Sequence, residues 1–252
     1  MLNPKITIIN ESHTLSDEDV EKTISALQRQ VSEHFAPAWG LDADLNFVAK
    51  GQQRPTSSWW IVILDDSDQA GRLGYHDLTP EGMPIGKVFA KADLDNHLSW
   101  TVTMSHEILE MIIDPELNLT VFAQDGPTTG KLYAYEVCDP VEDDQYGYAI
   151  DGVMVSNFVL PTYFEPTTHG VGQAALYDHC GHLSGPAPML LSGGFLGEFD
   201  IGRNQGWTQL TAPTEGQPHR GHIRIPMPGS RSDRRRRTHQ TWKRSEPRLV
   251  PI

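Results

Sequence analysis

The sequence lacks the features that mark membrane-spanning, secreted and disulfide-stabilised proteins. It contains no run of about eighteen or more apolar residues, so no transmembrane helix is predicted. Its first residues do not combine a basic segment with an apolar one, so no secretory signal is predicted and we expect a cytoplasmic protein. Only two cysteines occur, Cys138 and Cys180, too few for a disulfide framework or a cysteine-rich zinc site. The ligands of any metal ion in this protein are therefore expected to be histidine, aspartate and glutamate.

Motifs for serine hydrolases and for nucleotide binding are also missing. No GxSxG segment, Walker-type phosphate loop or GxGxxG run occurs in the chain. The chain does have 252 residues, of which 38% are hydrophobic, and this is enough to fill a sizeable core. A globular enzyme that works through acidic and histidine side chains is compatible with this composition.

The charge is distributed unevenly along the chain. Residues 231–252 contain eight arginines and lysines against two acidic residues, which is a net charge of +6. Because the whole chain has a net charge of −13, the remaining residues carry −19. An acidic body argues against general nucleic-acid affinity. The arginines at 234–237 are typical of a solvated, disordered tail, and an acidic partner or nucleic acid for this segment is the alternative.

Hydrophobic periodicity and turn residues predict an α+β chain. The first helix begins after Ser16, which with Asp19 resembles a capping box, and the second helix ends before Pro115. The predicted elements are a strand at 5–9, a helix at 16–35, strands at 44–49, 59–64 and 87–90, a helix at 98–114, extended segments at 131–137, 146–150 and 152–159, and small strands in "SGGFLGEFD" and "GWTQL".

Glycine and proline become dense from Pro161 onward, which indicates a change in organisation. We therefore divide the chain into a main domain at 1–165, a loop-rich β extension at 166–228 and a basic disordered tail at 229–252.

The second helix contains "SHEILEMIIDP" and combines a long apolar surface with one narrow acidic strip. At 100° per residue, His106, Glu107, Glu110 and Asp114 fall within roughly a 100° arc. The simplest interpretation is that this strip faces water. However, the strip contains no lysine or arginine, so its acids repel one another, and those near the helix C-terminus also oppose the helix dipole. A bound cation would remove both conflicts.

His106 and Glu110 lie one turn apart and can point at one ion, with Glu107 offset to the side. With this "HEILE" motif the chain resembles the zincin-like metallopeptidases. The resemblance covers about residues 5–115 and also rests on the strand-helix-strand-strand-strand order and the glycine-rich connection at 71–86. It implies a zincin-like mixed β-sheet with two main helices, the second carrying an HExxE motif.

The resemblance further implies that His106 and Glu110 are zinc ligands and that Glu107 is the general base for a metal-activated water. The chain departs from the pattern because glutamate replaces the second histidine, and "MIIDPE" lacks the glycine turn and third histidine of metzincins. The added negative charge makes the metal a weaker Lewis acid. The chain also resembles a family of uncharacterised bacterial and phage-associated proteins through "SHEILEM", "EVCDP" and "SNFVLP", which implies no activity.

A third protein ligand has to come from outside the helix, because a catalytic zinc usually has three. Glu136 and Asp139 in "YAYEVCDP" are the preferred candidates, although Asp139-Pro140 is also typical of a plain turn. Glu116 is the fallback. Several oxygen ligands would also suit calcium or manganese.

Other polar residues have weaker claims to a functional role. Tyr163 and His169 are candidates for hydrogen bonding to a developing oxyanion. We interpret His76, in the glycine-rich connection, as a surface residue. The cluster of His179, Cys180 and His182 is interpreted as a nonspecific surface group, because no second pair at zinc-site spacing accompanies it.

Two functions from different classes are therefore predicted. The first is a metal-dependent hydrolase, a zinc metallopeptidase acting on peptides or proteins. The second is a non-catalytic structural or interaction protein, such as a phage virion component, with a vestigial metal site.

Overall fold

The computed structural model describes residues 3–69, 71–165, 175–203 and 206–212. The predicted basic tail, like His169, lies outside the described residues. The strands are β1 (Lys5–Asn10), β2 (Asp44–Val48), β3 (Trp59–Leu64), β4 (Gly74–Leu78), β5 (Pro84–Phe89), β6 (Thr120–Gln124), β7 (Gly130–Ala134), β8 (Tyr148–Ile150), β9 (Val153–Val155), β10 (Phe195–Asp200) and β11 (Trp207–Thr211). The α-helices are α1 (Asp17–Glu21), α2 (Ile24–Arg29), α3 (Ala36–Trp39), α4 (Ala90–Asp95), α5 (Trp100–Ile113) and α6 (Pro161–Phe164), with a π-helix at Gln30–Phe35. The α+β prediction is confirmed.

A five-stranded mixed sheet in the order β2-β1-β3-β5-β4 forms the centre of the fold. The first four strands in this order are parallel, and β4 adds antiparallel at the edge. Strand β3, "WWIVIL", lies in the middle, as its apolar residues on both faces predict. Helix α5 packs on this sheet against β5, β4 and β3.

The first predicted helix is present but divided into segments. Ser16 and Asp19 form the expected capping box, and the apolar stripe that includes Val20, Leu27 and Phe35 is buried. At Thr23 the backbone N–H and the side-chain hydroxyl both donate to the carbonyl of Val20, which closes α1. One continuous helix over 16–35 is therefore wrong, because these three-residue bonds and the π-helix change the winding.

Strands β4 and β6 are absent from the sequence-based prediction. Strand β4 falls inside the stretch interpreted as a glycine-rich connection, and its register pairs His76 with Gly86 on β5. The strand has only five residues and lies in a glycine-rich stretch, so its alternation of apolar and polar residues is too short to indicate a strand. This matters because β4 lies directly against α5.

A second sheet, antiparallel and in the order β11-β10-β7-β6, joins the segments on either side of residue 165. Strand β10, from the predicted β extension, pairs with β7 through residues 198–200. None of the helices in the described part of the chain has the length and apolar composition needed to cross a bilayer.

Two glycines allow α5 to approach the sheet closely. A Cβ atom on Gly74 of β4 would lie 2.6 Å from Thr103 Cγ2 and 2.8 Å from Glu107 Oε1. A Cβ atom on Gly86 of β5 would lie 2.4 Å from Ile61 Cδ1 and 3.5 Å from Glu107 Cβ. The absence of side chains at both positions makes room for the carboxylate of Glu107 between helix and sheet.

We expect Gly74→Ala to lower the free energy of unfolding by about 1–3 kcal/mol, because its methyl group overpacks the interface between α5 and β4. Urea denaturation measures this change. The neighbouring carbonyl oxygen of Lys87, 3.0 Å from the added Cβ, belongs to the sheet backbone and has little room to move.

Thr103→Ser provides the matched control, since it removes the closest methyl group but keeps the hydroxyl that donates to Asp93. In a double-mutant cycle, Gly74→Ala should cost less in the Thr103→Ser background. A coupling free energy of zero would show that the predicted clash with Thr103 is relieved in another way.

Candidate metal centre

The acidic strip of α5 is buried. His106, Glu107 and Glu110 are each 0% exposed, and every residue of the helix from Thr101 to Ile113 is buried. The alternative in which this strip faces water is therefore wrong. Buried carboxylates are costly unless a cation or hydrogen-bond donors compensate them, so their neighbours determine what the strip does.

One group of donors surrounds His106. Its Nε2 atom lies 3.2 Å from Glu110 Oε2 and 3.3 Å from Asp139 Oδ1. Asp139 begins a short 3-10 turn, Asp139–Val141, and the N–H groups of Cys138 and Asp139 attach the start of this turn to Glu110 on α5. The prediction that "EVCDP" supplies a ligand to the strip is consistent with this geometry.

Glu110 is held in a fixed orientation. Its Oε1 atom accepts hydrogen bonds from the backbone N–H groups of Cys138, at 3.1 Å, and Asp139, at 3.2 Å. Its Oε2 atom therefore points toward the imidazoles. A carboxylate oriented by backbone donors is already positioned as a ligand.

A second group of donors surrounds His76, which the sequence-based interpretation wrongly placed at the surface. The residue is 2% exposed, because β4 directs its side chain toward α5. Its Nδ1 atom lies 3.5 Å from Glu107 Oε2 and 3.7 Å from Glu110 Oε2, and its Nε2 atom lies 3.8 Å from Glu136 Oε2. His76 thus joins the centre from the sheet.

Cys138 also joins the centre, although the sequence analysis excluded cysteine as a ligand. Ligand atoms of His106, Glu110 and Cys138 lie within 4.8 Å of one another. Burial raises the pKa of the Cys138 thiol well above its ordinary value, and a bound metal would be needed to favour the thiolate. The cysteine count gave no signal for this residue, since one thiol can serve among nitrogen and oxygen ligands.

The carboxylates control the protonation of both histidines. Burial alone would lower the pKa of His76, but Glu107, Glu136 and Glu110 outweigh it and raise that pKa to about 10. The pKa of His106 is likewise raised well above its ordinary value, against the effect of burial, with Glu110 as the main cause.

The pKa of Asp139 is raised well above its ordinary value, first by burial and then by the charge of Glu110. In the described part of the chain, no hydrogen bond is found for either carboxylate oxygen of Glu107 or for Oδ1 of Asp139. This enclosed set of imidazole, carboxylate and thiol donors fits a divalent transition metal, with zinc and manganese both suited to the chemistry.

The structure brings together the four ligands predicted from sequence, His106, Glu110, Glu136 and Asp139, with Glu107 beside them. The fallback ligand Glu116 is exposed, and its carboxylate accepts a hydrogen bond from Asn118 outside this group.

The weaker candidates lie elsewhere. Tyr163 is buried, and its hydroxyl donates to the carbonyl of Met189. His179 stacks on Phe158 with ring centroids 4.9 Å apart. No metal-binding group containing His179, Cys180 or His182 is found among the described residues.

A groove of about 800 Å³ runs along β6, but none of the donors lines it. Its walls include residues 119–124, Tyr135 and Phe164. Each donor is at most 3% exposed, so the centre is enclosed, and Tyr135 in the groove is the chain neighbour of Glu136. Comparisons of the chain with models of protein families, with curated proteins and with solved structures find no match. The function is therefore inferred from the geometry of the site and from the motif on α5.

Asp114, the last acidic residue of the strip, forms hydrogen bonds with the backbone that follows α5. Its two carboxylate oxygens accept hydrogen bonds from the N–H groups of Asn118, at 2.9 Å, and Leu119, at 2.8 Å. We expect Asp114→Ala to lower the free energy of unfolding by about 1–3 kcal/mol, because both donors lose their partner. Metal content, measured by plasma mass spectrometry after desalting, should not change.

The comparison for this variant is Asp139→Ala, which should reduce the metal content. Equal loss of metal in both variants would place Asp114 among the ligands and contradict its structural role.

Proposed function

We propose that this protein is a metal-dependent hydrolase, a zinc metallopeptidase, with an ion held by His106, Glu110 and Asp139 and with Glu107 as general base. The observation that carries the proposal is the convergence of these side chains in a buried centre, where His106 Nε2 lies 3.2 Å from Glu110 Oε2 and 3.3 Å from Asp139 Oδ1. Carboxylates at this depth need either protons on the neighbouring groups or a bound cation, and this set of donors suits a cation.

The resemblance to zincin-like metallopeptidases supports the class of reaction. The strand-helix-strand order before α5 and the "HEILE" motif on α5 agree with that resemblance, and β4 adds one strand to the predicted order. Peptides and proteins are the proposed substrates on this ground. A zincin-like fold is part of the same proposal.

Each side chain has a role that follows from its position. A bound zinc ion would supply Lewis acidity and lower the pKa of a water molecule that it coordinates. The backbone N–H groups of Cys138 and Asp139 keep Glu110 in its orientation, so that its second oxygen faces the imidazoles, where an ion would bind. We assign the role of proton acceptor to Glu107, because it follows His106 directly and neither of its oxygens has a hydrogen bond in the described chain.

The enclosure of the donors favours a second function, a structural or interaction protein in which the metal only stabilises the fold. Structural zinc sites are closed, whereas catalytic sites keep a position open to substrate. All of the donors are buried, and the groove along β6 does not include them. Phage association and an acidic partner for the arginine-rich segment remain predictions under either function.

The Glu107→Gln variant distinguishes the two functions. It keeps the size of the side chain but removes its ability to accept a proton, so under the proposed function peptide hydrolysis should fall by about 10²-fold or more. The metal content should be retained. Release of amino groups from casein and plasma mass spectrometry measure the two quantities.

Glu116→Gln is the matched control, because it makes the same change on an exposed glutamate outside the centre. Metal in the parent protein without any hydrolysis would support the structural function. A parent protein without stoichiometric metal, together with a His106→Ala variant of unchanged melting temperature, would contradict both.

A further inference from the structure

The buried centre contains two groups of donors, and Glu110 belongs to both. The first consists of His106, Glu110 and Cys138, and the second of His76, Glu110 and Glu136. Within each group the ligand atoms lie within 4.8 Å of one another. Each group has one imidazole and reaches Glu110 from a different side, since His106 is on α5 and His76 is on β4.

The position of Glu110 Oε2 allows the two donor groups to share this carboxylate. It lies 3.2 Å from His106 Nε2 and 3.7 Å from His76 Nδ1, so it lies close to both imidazoles. Because Oε1 is held by two backbone N–H groups, the carboxylate does not turn to serve one histidine at the expense of the other.

Glu107 provides an independent indication that a cation binds next to His76. Its side chain is 0% exposed, and neither of its oxygens has a hydrogen bond in the described part of the chain. Oε2 points toward His76 Nδ1, 3.5 Å away. A fully buried carboxylate directed at the second donor group needs a positive charge there, which is a proton on His76 in the metal-free centre and a cation once His76 coordinates as a neutral ligand.

The charges of the centre indicate how many cations it needs. A histidine must be neutral to coordinate a metal, so His76 and His106 add no charge to a loaded centre. Glu107, Glu110, Glu136 and Asp139 then supply four negative charges, and a coordinated Cys138 thiolate supplies a fifth, against two positive charges from a single divalent ion. Two divalent ions would balance the four carboxylates and leave only the charge of the thiolate.

We propose that the centre binds two divalent cations that share Glu110, the first at His106 with Asp139 and Cys138, and the second at His76 and Glu136. This inference rests on the metal centre of the proposed function and extends it to a two-metal site. Two-metal sites occur in hydrolases because the paired charges stabilise both the attacking and the leaving oxygen. The thiol of the first group favours zinc, and the second group suits zinc or manganese.

The stoichiometry of the full-length protein tests the inference. Protein equilibrated by dialysis against excess Zn²⁺, then desalted, should contain two zinc ions per chain by plasma mass spectrometry. His76→Ala should contain one, because it removes the only imidazole of the second group and leaves the first group intact. His13→Ala, the same change on a histidine with an 87% exposed side chain, should still contain two.

Each outcome of this experiment decides a separate point. One ion in both the parent protein and His76→Ala would overturn the two-metal inference and leave the proposed function standing. No bound ion in the parent protein would overturn both. Should His76→Ala not fold, Glu136→Gln weakens the same group, and the parent stoichiometry is decisive by itself.

A spectroscopic measurement on the parent protein provides a second criterion. Loaded with Mn²⁺ instead of zinc, it should give the electron paramagnetic resonance spectrum of two exchange-coupled ions, because a shared carboxylate connects them. A spectrum of isolated Mn²⁺ at full loading would contradict the sharing of Glu110.

Discussion

The burial of four carboxylates around two imidazoles is the interaction that the rest of this structure has to accommodate. Glu107, Glu110, Glu136 and Asp139 are all at most 3% exposed. Isolated charges at this depth are unfavourable by several kcal/mol each. The folded state therefore requires either protons shared between these groups or cations bound among them, and the donor types present suit divalent cations.

Three parts of the fold hold the centre together. Strand β4 contributes His76, α5 contributes His106, Glu107 and Glu110, and the segment around residues 136–139 contributes the remaining carboxylates. On the other side of α5, the hydroxyl of Ser105 accepts a hydrogen bond from the N–H of Ser156, after β9. A cation that binds between these parts would connect the sheet, the helix and the following loop, which are distant in sequence.

The motif helix and four candidate ligands in and near it could be predicted from the sequence because their signal is local. An acidic strip without basic residues is visible at helical spacing, and carboxylates that follow it closely in the chain are natural third ligands. His76 could not be found in this way, because its strand is five residues long and lies among glycines. The alternation of "GYHDL" opposite "PIGKVF" was the available signal, and it becomes informative only when the two segments are paired as strands.

The same limits explain the other differences from the sequence-based prediction. Cys138 was excluded by a rule on cysteine number, whereas its position near His106 and Glu110 depends on the backbone turn that also brings Asp139 to His106. The segmentation of the first helix depends on local hydrogen bonds at Thr23 that the apolar stripe does not encode. Periodicity therefore predicted which faces are buried better than it predicted how the backbone winds.

The replacement of a histidine by Glu110 connects the charge of the centre to its chemistry. An anionic ligand donates more charge to one ion than an imidazole does, which weakens that ion as a Lewis acid. If the carboxylate is shared between two ions, each receives only part of this charge, and the neighbouring ion adds a positive field at the reacting oxygen. A pair of ions that shares Glu110 would therefore offset the loss of Lewis acidity that this anionic ligand causes at a single ion.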